Sequence, residues 1–80
     1  MNGNLKNVQA DYSETLFDEL MEMLRSEDST VRRVAIAELP EFGDRAIPAL
    51  VNALQDADFG NVQNAAFALG EMGNESASTL

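Results

Sequence analysis

The 80-residue chain contains no cysteine and no histidine. The first absence removes any disulfide support for the core and any thiolate for catalysis or metal binding. The second removes the commonest general base and the commonest metal ligand. Basic residues are few, five against fourteen acidic ones, for a net charge of −9. Phosphate backbones need clustered positive charge, so nucleic acid is not an expected partner. Long apolar runs are also missing, and nothing approaches the roughly 20 residues of a membrane span. The N-terminal MNGNLKNVQAD has one lysine and no apolar block, unlike a secretory signal. The expected location is therefore cytoplasmic, with no membrane partner. What is present is an apolar content of 45%, that of a folded chain. Eighty residues bury only a marginal core. All four arginines fall between Arg25 and Arg45, while Asp11 to Glu22 is acidic, so a small positive patch on a negative body is expected.

Residues 1–10 carry two isolated apolar side chains without a sustained period and read as a flexible tail. Residues 11–80 read as one domain. Asp11 with Glu14 forms a capping-box pattern, followed by Leu16, Leu20, Met23 and Leu24 at helical spacing, joined by Phe17 and Met21. Tyr12 falls in the first turn and is expected to pack on the tail. Asp28 or Ser29 caps a second helix with Val31, Val34, Ala35 and Leu39 inward, which Pro40 stops. Gly43 suits a left-handed cap and Asp44 an N-cap. Pro48 then falls in a first turn, where its missing N–H costs nothing. Ile47, Leu50, Val51 and Leu54 carry the third helix. Val62, Ala65, Ala66 and Leu69 carry a fourth, which Gly70 and Gly73 are expected to end before Asn74 starts a fifth. No strand pattern appears. The expected fold class is all-α, with about four helices and the start of a fifth.

The chain repeats itself at an offset of 30 residues. Leu39 pairs with Leu69, Ala35 with Ala65, Glu41 with Glu71, Gly43 with Gly73 and Leu50 with Leu80. Two helices per unit at such a period mark a short α-solenoid. The stretch DSTVRRVAIAELPEFGDRAIPALVNALQD resembles a HEAT repeat of the short phycobilin lyase type, and the resemblance covers Asp11 to Leu80. It implies that Asp28 and Arg32 form a structural pair of the inter-repeat ladder. Val62 stands where the second unit's arginine would be, and Asn61 where its core valine would be. The resemblance therefore predicts an incomplete ladder with Val62 turned inward. Pro40 replaces a usual glycine, which stiffens the first hinge.

In the family the second helix of each pair lines the partner-binding surface. This places Arg32, Arg33, Gln63, Asn64 and Phe67 on a candidate partner-binding face. Arg32 also reads as an internal pair, Arg33 as plain solvated surface, and Phe67 as either core packing or an apolar anchor. Asp56, Asp58 and Gly60 hint at a calcium loop. The positions that would hold its further ligands are Gly60, Asn61 and Phe67, so a turn is the better reading and no metal is expected. Asp18/Glu19 and Glu38/Glu41 read as solvated carboxylates. With no catalytic constellation in view, neither a catalytic residue nor a cofactor is expected.

The expected function is thus a small non-catalytic interaction module binding another protein. The resemblance implies an alternative, an accessory role in phycobilin attachment or detachment or in phycobilisome turnover, with a biliprotein subunit as partner. In either case the C-terminal edge, with Val62, Ala66 and Leu69, is expected to lie open. A homodimer, a partner continuing the solenoid, or a longer parent chain would cover it. Two units fall short of the roughly three such arrays usually need, so weak stability or self-association is expected.

Overall fold

The computed structural model describes residues 14–79, with side chains through residue 73. The tail, the Asp11 cap, Tyr12 and Leu80 lie outside them. Helix α1 spans residues 14–23. Helix α2 spans Ser29–Glu38 and opens on Asp28, whose carboxylate accepts from the Thr30 N–H at 2.8 Å, as an N-cap aspartate does. Pro40 ends α2 as expected, but the chain does not become a loop. It tightens into a 3-10 segment, Leu39–Ala46, kinked at Gly43 with φ 66° and ψ −140°. That combination is essentially restricted to glycine, and it turns the chain back toward α1.

Helix α3, Ile47–Ala53, has Pro48 in its first turn. Helix α4, Phe59–Thr79, is a continuous 21-residue helix. The expected break at Gly70 and Gly73 is absent, and so is a separate fifth helix among the described residues. Leu69 and Met72 both pack on the core. Tertiary packing of that kind outweighs the roughly 1 kcal/mol that each interior glycine costs.

Helix α2 packs against α4, and α3 against α4. Leu20, Ile36, Leu39, Leu50 and Ala65 form the core, with Ala35, Ala46, Ala49 and Ala53 letting the helices approach closely. A shallow groove between α1 and α3 has Leu24, Ala49 and Ala53 in its floor and Asp18, Glu22 and Arg25 at its rim. Phe17 of α1 is covered by Phe42 at a centroid distance of 5.1 Å and by the Arg45 guanidinium at 4.3 Å. Arg45 in turn donates to Glu14 at 2.9 Å. The molecule is all-α among the described residues, two helix pairs stacked as in a solenoid.

The inward faces differ from the expected ones. In α2, Ile36 is buried and Val34 exposed; in α3, Ile47, Val51 and Leu54 are exposed. Periodicity locates an apolar arc, but a solenoid helix has apolar neighbours on two sides, so the arc is wider than the face one neighbour covers.

Candidate partner-binding face and its polar joint

The two inter-helix turns are copies of each other. In the first, Ser26 Oγ accepts from the Asp28 N–H at 3.0 Å and Asp28 from the Thr30 N–H. In the second, Asp56 Oδ1 accepts from the Asp58 N–H, and Asp58 Oδ1 from the Gly60 N–H, both at 2.8 Å. Every member of the second chain lies 30 residues after its counterpart. The one chemical difference in acceptors is a carboxylate at 56 where the first turn has a hydroxyl.

That carboxylate takes Arg32. The guanidinium donates to it through two nitrogens, Nε at 2.8 Å and Nη2 at 3.0 Å, while Nη1 donates to the Ser26 carbonyl at 2.9 Å. The expected Asp28–Arg32 pair is not made: Asp28 is committed to the Thr30 N–H, and the planar fork finds a bidentate acceptor in Asp56. Hydrogen bonds from Arg32 hold the Asp56 carboxyl down at about 2, against an ordinary value of 3.8, with the Asp58 N–H reinforcing them. The same contact raises Arg32 above its usual value.

Asn61 completes the joint. It is wholly buried, while Val62 is only half-buried, so the expected exchange of inward roles does not occur. Its Oδ1 accepts from Arg33 Nε at 3.1 Å, and its Nδ2 donates to the Ser29 carbonyl at 3.1 Å. Ser29 Oγ donates to Asp58, and Arg33 Nη2 to the same oxygen at 3.4 Å. The Ser29 hydroxyl, then the Gly60 N–H, lower the Asp58 carboxyl below its usual range. Among the described residues no buried side-chain nitrogen or oxygen lacks a partner. The polar ladder between the units is thus differently built, not incomplete. Asp56, Asn61 and Ser29 were missed as its members. The signal that could have found Asp56 is the aligned pair Ser26/Asp56, a hydroxyl replaced by an arginine acceptor.

The five candidate face residues divide accordingly. The Arg32 side chain is 16% exposed and sits inside the joint. Arg33 lies half out of it, its Nη2 3.7 Å from where a Cβ on Gly60 would stand. A side chain at 60 would also meet Asp58 Oδ1 at 3.2 Å, so glycine lets α4 begin under the arginine. Gln63, Asn64 and Phe67 follow from Gly60 at i+3, i+4 and i+7, all on the exposed side of α4. Phe67 is 70% exposed, which excludes the core-packing reading. The Asp56–Gly60 stretch is a turn whose carboxylates are bonded to Arg32, Arg33, Ser29 and backbone N–H groups.

Antiparallel helix pairs stacked at a constant offset, with a polar joint between turns, define an α-solenoid repeat protein. A family model described as HEAT repeats matches residues 17–80, and the chain belongs to that family. No curated protein and no solved structure matches it.

Proposed function

We propose that the chain is a protein-interaction module that binds a partner polypeptide through the outer face of α2 and α4. HEAT repeats commonly mediate protein–protein contacts. The observation that carries the reading is Phe67, a large aromatic ring left in water on a helix whose inward face is already filled. Gln63 and Asn64 supply adaptable amide groups beside it, and the outer edge of Arg33 supplies positive charge. An exposed aromatic ringed by polar side chains is the usual form of a binding anchor. Arg32 positions this face by fixing α2 against the second turn and does not itself meet the partner.

The test is affinity capture with the full chain and with Phe67→Ala, followed by titration of any protein that the substitution releases. Loss of a central aromatic anchor weakens binding roughly 10–30-fold. Equal capture by both chains, or by neither, would refute the reading. The same experiment addresses the narrower expectation drawn from the phycobilin lyase resemblance: biliprotein subunits among the released proteins would support an accessory role in bilin attachment or detachment.

A further inference from the structure

The second helix pair carries a flank with no counterpart on the first. On α3, Ile47, Val51 and Leu54 recur at i, i+4 and i+7, on the side opposite Ala49 and Asn52, which border the groove toward α1. On α4, Phe59, Val62 and Ala66 recur at i, i+3 and i+7. Five of these six side chains are exposed and Val62 is half-buried; Val51 is 50% and Phe59 71% exposed. None of the six is charged, in a chain of net charge −9.

The 30-residue offset shows what such positions ordinarily meet. Ile36, the counterpart of Ala66, is buried where the second unit packs on the first. Phe17, the counterpart of Ile47, lies under Phe42 and Arg45. On the second unit the same positions face outward as a continuous apolar strip.

We infer that this flank associates with the same flank of a second copy of the chain, in a two-fold dimer with the α3–α4 edges together. Charge selects the arrangement. The opposite edge carries Glu14, Asp18, Glu19 and Glu22, all exposed on α1. Head-to-tail stacking would press those carboxylates against an apolar strip and desolvate them. The two-fold arrangement joins apolar to apolar and buries no carboxylate from α1. With helices about 9 Å apart, it leaves the two α1 helices roughly 27 Å from each other, about three Debye lengths at physiological salt. The strip is separate from the Phe67 face, so the dimer and the proposed partner site do not compete.

Sedimentation velocity of the full chain tests this, run from about 5 μM to about 500 μM, because small interfaces of this kind give weak, micromolar association. The expected result is a shift toward twice the monomer mass, ending there. Val51→Glu removes the shift and leaves the far-ultraviolet circular dichroism unchanged; Leu54→Lys, at a second position of the strip, does the same. Val34→Glu, an exposed apolar position on α2, leaves the dimer intact. A monomer at every concentration would overturn the inference and leave the flank to a further repeat or another protein. Growth beyond a dimer would overturn it in favour of head-to-tail stacking, and dimerisation that survives both strip variants, or that Val34→Glu abolishes, would place the contact elsewhere.

Discussion

Replacing Asp56 by asparagine keeps the shape of the inter-unit clamp and removes its charge. In the folded protein the Asp56 carboxyl sits at about 2, depressed from 3.8 chiefly by hydrogen bonds from Arg32. A depressed carboxylate stabilises the fold above its unfolded value, and that contribution is lost as pH falls through the folded one. At about 1.4 kcal/mol per unit the shift has a ceiling near 2 kcal/mol, and solvent screening reduces it to about 1–2 kcal/mol. For a domain of this size that corresponds to a fall in Tm of about 5–15 °C at pH 7. Linkage between values of 3.8 and about 2 removes about half of the contribution by pH 3. Thermal unfolding followed by circular dichroism at pH 7 and pH 3 measures both effects. The Tm gap between wild type and Asp56→Asn should be largest at pH 7 and shrink by about half at pH 3. Glu19→Gln, on the exposed side of α1, should produce no gap at either pH. A gap of the same size at both pH values, or one under about 2 °C at pH 7, would refute the clamp as a charge-assisted contact.

Asn61→Ala leaves the Ser29 carbonyl and Arg33 Nε without their partner, and urea unfolding should show a loss of about 1–3 kcal/mol. Glycines should divide by backbone geometry. Gly43→Ala must adopt φ 66° with ψ −140° and should destabilise by about 1–3 kcal/mol. Gly70→Ala sits inside α4 with nothing within 4 Å of an added Cβ, and should stabilise by about 0.5–1 kcal/mol. The same urea titration reads both signs.

The period was the most legible part of this protein. An offset of 30 residues places Ala35 over Ala65 and Leu39 over Leu69, and such agreement arises because equivalent positions fill equivalent places in stacked units. The turns were legible through Asp28, Pro40, Gly43 and Pro48, whose chemistry acts within three or four residues. Less legible was which apolar residues face inward. Val34 and Ile36 lie on overlapping arcs of α2, and only the placement of α4 decides between them. Gly70 and Gly73 looked like a terminus because local propensity is all a single helix displays; the packing of Leu69 and Met72 that overrides it depends on the rest of the fold. The Arg32–Asp56 pair spans 24 residues and follows neither the helical period nor the repeat offset. Repeat arithmetic therefore pointed to Asp28, one unit's own aspartate, instead of the acid in the next turn.

The departure at position 56 links the candidate site to the fold. A hydroxyl at the equivalent Ser26 can only close its own turn. A carboxylate there closes the turn through one oxygen and, with both, holds an arginine from the preceding unit. Local capping chemistry thereby becomes a contact between units, in a chain with no cysteine to serve that purpose. Arg32 and Arg33 are adjacent and make opposite use of it. The first is drawn inward to Asp56, and the second reaches across Gly60 to Asn61 and Asp58 with half its side chain in water. Between them they set where α4 begins relative to α2, and Gln63, Asn64 and Phe67 lie one to two turns further along α4. The orientation of the proposed binding face therefore depends on the joint, although no residue of the Arg32–Asp56 pair lies on that face.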